Sequence, residues 1–424
     1  MKNSGIEWIG EIPDDWALIR FKDIFINRKE IAGTRSFLFD RLALTMNGVI
    51  KRDKDDSDGL QPKEFDGYQI IYENDFIFKM IDLQNISTSR VGLSPYTGLV
   101  SPAYIRFSPR KKGQYNLFVY YFLMSLYYNC VYNNLGGNGV RSALNATDMG
   151  QFLIPFPSTN TQIQIVSMIE NRCAAVERLI TNQQEQIEKL KEYKQSVISE
   201  AVTKGLDPSA PLKDSGIEWI GNIPKSFQMT KIKNIGIYFN GLTYSPNDIT
   251  DETKGTLVLR SSNIKNGKLI LDDNVYVSCD IRKNLMVKKG DILVCSRNGS
   301  RNLIGKNAII DKDICCSFGA FMMIFRCECS KYMYYILNSD IFNYYLGSFF
   351  TATINQLTGQ NFGNMSVPFC SIKEEQKQIT DYLDKKCTKI DRLISIKQQK
   401  IEKLQEYKKS LIYEYVTGKK EVLT

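Results

Sequence analysis

The 424-residue chain contains no histidine. Ser-His-Asp triads, imidazole acid–base chemistry, His-bearing metal sites and the HExxH motif are therefore excluded together. Catalysis, if any, would have to run on carboxylates, Lys, Tyr, Ser or Cys. The sequence also lacks a CxxC pair, a GxGxxG loop and an Asn-Pro-Pro-Tyr-type methyltransferase motif. Gly299…Gly305-Lys306-Asn307 misses a P-loop twice, with one residue too many and Asn where Ser or Thr is needed. Long apolar runs are missing as well. The uncharged stretches 113–140 and 341–372 are broken by Asn and Gly, and the apolar core 117–128 is too short to span a bilayer. The opening residues MKNSGIEWIGEIPDDW hold no apolar signal segment, so a cytoplasmic location is expected.

What is present is ordinary in bulk: 24% charged and 43% hydrophobic residues, values of a globular chain of more than one domain. Ten cysteines without a secretory signal predict reduced thiols. Six of them fall between Cys279 and Cys329. Zinc is one reading of that cluster. Buried strand thiols are the other, and the missing CxxC and His favour it, so no metal is expected.

An internal repeat organises the chain. Ser4-Gly-Ile-Glu-Trp-Ile-Gly-Glu-Ile-Pro13 returns as Ser215-Gly-Ile-Glu-Trp-Ile-Gly-Asn-Ile-Pro224, with nine of ten positions identical. Residues 162–205 align with 376–419, with 20 identities in 44 positions. Between these anchors the copies have drifted, yet landmarks survive. Asn74-Asp75 matches Gly290-Asp291, Tyr120-Tyr121 matches Tyr334-Tyr335, and Pro155-Phe156 matches Pro368-Phe369. A unit of about 212 residues has been written twice.

The repeated C-terminal segments read as long helices. Apolar residues recur at steps of three and four, among them Ile169, Val176, Ile180, Ile187, Leu190 and Val197. The second copy places Leu383, Ile390, Ile394, Ile401, Leu404 and Leu411 in the same slots. That is the seam of a coiled coil. One slot is polar in both copies, Gln183 and Lys397, either to fix register or because it sits at a wet edge. A helix of about 40 residues would be about 60 Å long and suits a spacer.

Residues 17–160 and 228–373 read as mixed α and β, with strands near 69–72, 76–80, 104–107, 256–260, 291–295 and 321–325. Each carries one aromatic helical stretch, 117–131 and 331–345, read as core. These domains hold the positive charge: 17 basic against 13 acidic residues in the first, 17 against 11 in the second. Basic and amide side chains cluster in turn-like segments. They are Arg41, Lys51 and Arg52; Arg110, Lys111 and Lys112; Arg141 and Asn145; Arg260, Ser261, Asn263 and Lys265; and Arg297, Asn298, Ser300 and Arg301. Arg pairs with guanine and Asn with adenine, while Lys and Ser serve phosphates. Each cluster alone reads better as a solvated loop. Their shared location in paired basic domains favours DNA.

Two further features invite catalytic readings. Asp75 and Asp291 recur in both halves, as a general base or as part of a strand-opening turn; the turn is the simpler account. Glu192-Tyr-Lys194 and Glu406-Tyr-Lys408 match half of a nuclease motif, but on a coiled coil no second carboxylate converges on a metal. The chain is expected to catalyse nothing.

Two variable domains, each followed by a Glu-Lys-Leu-x-Glu-Tyr-Lys helix, with the Ser-Gly-Ile-Glu-Trp-Ile-Gly-x-Ile-Pro box twice, resemble the specificity (S) subunit of type I restriction–modification systems. The resemblance covers the whole chain. It implies an α+β fold: two mixed α/β target-recognition domains separated by two long antiparallel coiled-coil helices, with an internal pseudo-two-fold repeat. The corresponding segments are 1–160, 161–205, 206–373 and 374–424. It further implies recognition of a bipartite, asymmetric double-stranded DNA site, one half-site per domain. Partners would be two modification (methyltransferase) subunits and restriction (translocase/endonuclease) subunits. AdoMet, ATP and Mg²⁺ would belong to those partners, with no cofactor in this chain. The competing reading is a non-enzymatic coiled-coil adaptor that binds proteins, which explains the helices but not the paired basic domains.

Overall fold

The structure is a computed structural model, and it describes all residues except 47, 55–63, 84–88, 112–114, 136–142, 350–355 and 422–424. The chain divides into two units. Unit 1 comprises Met1–Gln183 and Gln399–Thr424, and unit 2 comprises Gln184–Gln398.

Unit 1 begins with the box, folded as a closed turn between β1 (Lys2–Asn3) and β2 (Glu11–Ile12). The Ser4 N–H donates to Gly10 O at 2.9 Å. Gly5 and Gly10 hold φ of 71° and 72°, the left-handed region that strains any residue with a Cβ. β3 (Ala17–Arg20) and α1 (Phe21–Ile24) lead to β4 (Phe25–Asn27). The strands β5 (Arg41–Thr45), β6 (Gly48–Arg52), β7 (Gln69–Ile71), β8 (Phe76–Phe78), β9 (Val91–Leu93), β10 (Gly98–Val100) and β11 (Ile105–Pro109) follow. They form two sheets, β6-β5-β10-β7 and β4-β11-β8-β9. β5 and β10 run parallel, while the other pairs are antiparallel. Phe76-Ile-Phe78 is buried at every position because both faces of β8 are covered. Phe21, Phe25, Phe76, Phe78 and Phe107 interlock with ring centroids 4.6–6.1 Å apart. The aromatic stretch becomes α2 (Tyr115–Tyr128), and its Phe118, Val119, Phe122 and Leu123 are fully buried in that core. α3 (Val131–Leu135), α4 (Ala146–Gly150) and β12 (Leu153–Phe156), which pairs with β3, complete the domain before α5 (Thr159–Lys204).

Unit 2 repeats the plan. Its box closes between β13 (Leu212–Asp214) and β14 (Asn222–Pro224), with the Ser215 N–H on Gly221 O at 3.1 Å. After β15 (Phe227–Lys231) come β16 (Ile237–Asn240), β17 (Ile249–Thr250), β18 (Thr256–Leu259), the small hairpin β19 (Ile264–Lys265) and β20 (Lys268–Leu269), and β21 (Tyr276–Val277). β22 (Ile292–Cys295), β23 (Asn307–Ile309), β24 (Cys316–Phe318) and β25 (Met322–Arg326) follow. The sheet β16-β25-β22-β23 is the counterpart of β4-β11-β8-β9, and the parallel pair β18–β24 is the counterpart of β5–β10. The second sheet differs, with order β17-β21-β18-β24. The helical stretch expected over 331–345 is two helices, α6 (Ser330–Ile336) and α7 (Asp340–Phe349). Polar side chains break it. The Ser339 hydroxyl donates back to Ile336 O at 2.7 Å, and the Asn338 amide donates to Tyr334 O at 2.7 Å and Asn307 Oδ1 at 2.8 Å. α8 (Gly359–Asn364) and β26 (Ser366–Cys370), paired with β15, precede α9 (Lys373–Val416).

Each unit takes the first part of its own long helix and the last part of the other, running antiparallel. In unit 1, Ile165, Ile169 and Cys173 share a core with Leu411, Ile412, Tyr415 and Val416. In unit 2, Val197, Ile198, Ala201 and Val202 share one with Ile379, Leu383 and Cys387. The seam predicted from the sequence faces inward: Ile169, Val176, Ile180, Ile187, Val197, Leu383, Ile390, Ile401 and Leu411 are buried, and Leu190, Ile394 and Leu404 are half-buried. Gln183 is 8% exposed, so that slot is no wet edge in the first helix. The Lys397 ammonium donates to Gln186 Oε1 across the pair. Both helices end on a left-handed glycine, Gly205 and Gly418, each at φ 71°. At Gly418 a Cβ would lie 2.3 Å from Pro13 Cδ, so the cap also permits close approach to the box.

Candidate nucleic-acid interface

A duplicated ion pair frames each domain. Asn74 and Gly290 take φ of 68° and 90°, and this left-handed step turns the chain into β8 and β22. The following carboxylates, Asp75 and Asp291, each accept a backbone N–H three residues back, from Tyr72 at 2.8 Å and Lys288 at 2.7 Å. Each then binds an arginine of the neighbouring strand. Arg106 Nε donates to Asp75 Oδ2 at 2.6 Å, and Arg326 donates to both Asp291 oxygens at 2.6 and 2.7 Å. Arg106 lies over the Tyr72 ring and Arg326 over Phe239. The carboxylate raises the Arg326 pKa, and burial opposes that rise. The recurring aspartates therefore close a turn and hold a sheet. The arginine partners were not singled out in the sequence, although Arg326 ends a strand that is otherwise apolar and Arg106 sits between Ile105 and Phe107.

In unit 2 the candidate residues come together. Arg260, Ser261 and Asn263 follow the end of β18, Arg297 to Arg301 follow the end of β22, and the turn 319–321 follows the end of β24. The Asn298 amide donates to Ser261 Oγ at 3.1 Å and accepts the Ser300 N–H at 2.9 Å. Lys306 Nζ donates to Ile264 O at 3.1 Å. Not every candidate faces outward. Asn263 is fully buried, its amide donating to Ile270 O at 3.0 Å and accepting the Arg260 N–H at 2.9 Å. Arg260 and Lys265 are engaged with Asp273 at 2.8 Å and Asp272 at 3.1 Å. Arg297, Ser300 and Arg301 are exposed. Phe321, read in the sequence as the first residue of a strand, is 58% exposed and lies against the Arg297 guanidinium. The Gly319-Ala320 turn before it is the signal that placed it outside the strand.

In unit 1 the described candidates gather elsewhere. An open groove of about 540 Å³ is lined by Phe37, Leu38, Phe39, Arg41, Lys51, Arg52 and Lys54, among others. It sits at the start of β5, whereas the unit 2 cluster sits beyond the ends of β18 and β24. Arg41 is 9% exposed and rests against Phe65. Lys51 is exposed, 2.7 Å from Asp40 and over the Tyr96 ring. Its hydrogen bond holds the Asp40 carboxyl below its ordinary range, and Asp40 raises Lys51 in return. Phe37 and Leu38, at 76% and 63% exposure, are the apolar lining that the sequence did not reveal. Arg110 donates to Lys22 O at 3.0 Å, and Lys111 is exposed. Asn145 caps α4, accepting the Thr147 and Asp148 N–H groups at 2.8 and 3.0 Å. Lys112 and Arg141 lie outside the described residues.

Among the described residues no group of three Cys, Asp or Glu side chains is placed to hold a metal ion. All ten cysteines are free thiols; Cys295, Cys316 and Cys370 are buried, and burial pushes the Cys316 thiol up to about 12. The Glu-Tyr-Lys motifs lie on the long helices. Lys194 pairs with Asp391 at 2.7 Å and Lys408 with Glu177 at 2.5 Å, the same bridge in each unit. No helix is long and apolar enough to cross a membrane among the described residues.

Comparison with known proteins converges on one family. A model described as "Type I restriction modification DNA specificity domain" matches residues 13–189 and again 224–406. The Type I restriction enzyme MjaVIII specificity subunit of Methanocaldococcus jannaschii is 23% identical, over 96% of this chain and 93% of that protein. The EcoKI specificity subunit of Escherichia coli is 24% identical over 47% of this chain, which spans 44% of that subunit's length. A solved chain from a study of complex assembly and conformational transition of the type I R-M system superposes with a TM-score of 0.68. It is 14% identical and covers 96% of this chain and 98% of its own, so the likeness is one of fold.

Proposed function

The chain belongs to the type I restriction–modification DNA specificity family, and on that footing we propose that each unit reads one half of a bipartite, asymmetric duplex site. The observation that carries the reading is one frame built twice with different exposed side chains. The box, the Asp–Arg pair and the helix caps are kept in both units. The loops that could meet DNA are not. Equivalent domains with unlike surfaces would read unlike half-sites, so the target would not be a palindrome.

One domain offers limited discrimination, about 1–3 kcal/mol per base pair. Two domains at a set spacing multiply their specificity ratios, as dimeric repressors do. α5 and α9 supply that spacing in this reading. Their duplicated surfaces would also provide two equivalent docking places, hence two modification subunits, with restriction subunits joining that assembly. AdoMet, ATP and Mg²⁺ would serve those partners, and this chain would be the non-catalytic member.

The test is a domain exchange. Replacing residues 17–160 by the matching domain of a relative should change one half of the methylation motif, read by modified-base sequencing. Alteration of both halves would overturn the modular reading. Inserting four residues in α5 adds about 6 Å of helix and should lengthen the gap by about one or two base pairs. A gap that stays the same would refute the spacer.

A further inference from the structure

We infer that Arg297 is a guanine-reading side chain of the second domain. The inference rests on the DNA-specificity reading and names one contact within it. Arg297 opens the loop after β22, and its main chain is clamped. Its own N–H and that of Ser296 both donate to Phe321 O, at 3.1 and 3.0 Å, and the Leu357 N–H donates to Ser296 O at 2.8 Å. On the other side Asn298 ties the loop to Ser261 and to the Ser300 N–H. The guanidinium lies 5.3 Å from the Phe321 ring centroid. The ring face holds the group by a cation–π contact. Among the described residues no carboxylate or carbonyl takes its N–H donors, in contrast to Arg260 on Asp273 and Lys265 on Asp272.

A planar guanidinium, fixed in position and with its donor fork open, is the geometry that pairs with O6 and N7 of guanine in the major groove. A phosphate needs no such orientation, since a mobile lysine serves it as a point charge. The exposed Phe321 ring shields one face of the fork and gives it an apolar wall against a neighbouring base. The neighbouring Ser300 and Arg301 lie on the same exposed loop and suit the flanking backbone.

The experiment uses the assembled modification complex with the wild-type chain, Arg297→Ala, Arg297→Lys or Phe321→Ala. Methylation motifs are read on a random-sequence plasmid library, and binding is titrated on the cognate duplex and its single-base variants. The wild type should require guanine at one position of the half-site assigned to unit 2 by the domain exchange. Arg297→Ala should bind the cognate duplex about 10- to 100-fold more weakly and accept other bases at that position alone. Arg297→Lys, which keeps the charge and the fold, should lose the same base preference. Phe321→Ala should weaken it less, about 3- to 10-fold. A complete motif in both Arg297 variants, a half-site without guanine, or a loss of affinity equal for all sequences would overturn the inference and leave the specificity role standing. A wild-type complex with no defined motif would overturn that role, and the inference with it.

Discussion

The two units share a frame and differ in how tightly it is sealed. In unit 1 the Asp75–Arg106 pair is closed off, its side chains 3% and 2% exposed. In unit 2 Asp291 is equally buried, but Arg326 is 22% exposed. The same turn uses Asn74 in one copy and Gly290 in the other. Duplication therefore preserved the geometry that carries the sheets, and left its solvent seal and its outer loops to drift. What is common to both halves serves folding, and what differs is the part that the proposed reading assigns to DNA.

The comparison is broken most directly at the ion pairs. Asp75→Ala leaves the buried Arg106 with only the longer Glu30 carboxylate contact at 3.7 Å and should cost about 3–5 kcal/mol. Asp291→Ala should cost about 2 kcal/mol, because Arg326 reaches water. Urea unfolding followed by tryptophan emission separates the units, since Trp8 and Trp16 report on one and Trp219 on the other. Equal losses would show that the difference in sealing carries no energy. The turn gives a smaller effect. Gly290→Ala should cost about 1–2 kcal/mol from the left-handed backbone alone, for its Cβ would meet only Ser330 Oγ at 3.7 Å. Gly290→Asn, the residue of the other copy, should restore most of it in the same unfolding experiment.

Charge sharpens the comparison next. Asp40→Asn releases Lys51 toward a polyanion. It should raise affinity for non-specific duplex a few-fold and steepen the salt dependence by about one ion. Acid should mimic it only below the usual carboxylate range, because Lys51 holds the Asp40 carboxyl ionised. The smallest effects belong to the bridges on the long helices. Lys194→Met and Lys408→Met should each cost less than about 1 kcal/mol and match one another, as their exposures do. Unequal losses in thermal melts would mark the two helix pairings as different.

Much of this was legible beforehand. The box, the seam residues and six of the strands (β7, β8, β11, β18, β22 and β25) follow from repeat identity and from periods of two and three to four, signals that need no tertiary partner. The break at Leu337–Ser339 was not legible. It is imposed by Asn338 and Ser339 bonding backbone carbonyls, where aromatic spacing alone predicts one helix. The candidate contacts were partly legible. Residue type picked Arg297 and Asn298 out, but it also picked Asn263, which is consumed inside its own turn, and Arg41, which is almost wholly buried. Whether a polar side chain points inward depends on a carbonyl or ring supplied from elsewhere in the chain. Phe321 and Phe37 were missed for the mirrored reason, since an aromatic residue is assigned to a core unless a turn displaces it.

Unit 1 is assembled from both ends of the chain, and this sets an order of events during synthesis. Ile9, Ile12 and Trp16 leave the ribosome first, yet they share a core with Leu411, Ile412, Tyr415 and Val416, which leave it near the last. Unit 2, an uninterrupted stretch, is complete before then. The domain translated first is thus the one closed last, and it holds apolar surface uncovered while the rest is made. A nascent chain stalled or cut between Gln398 and Leu411 would carry a finished second domain and an open first one.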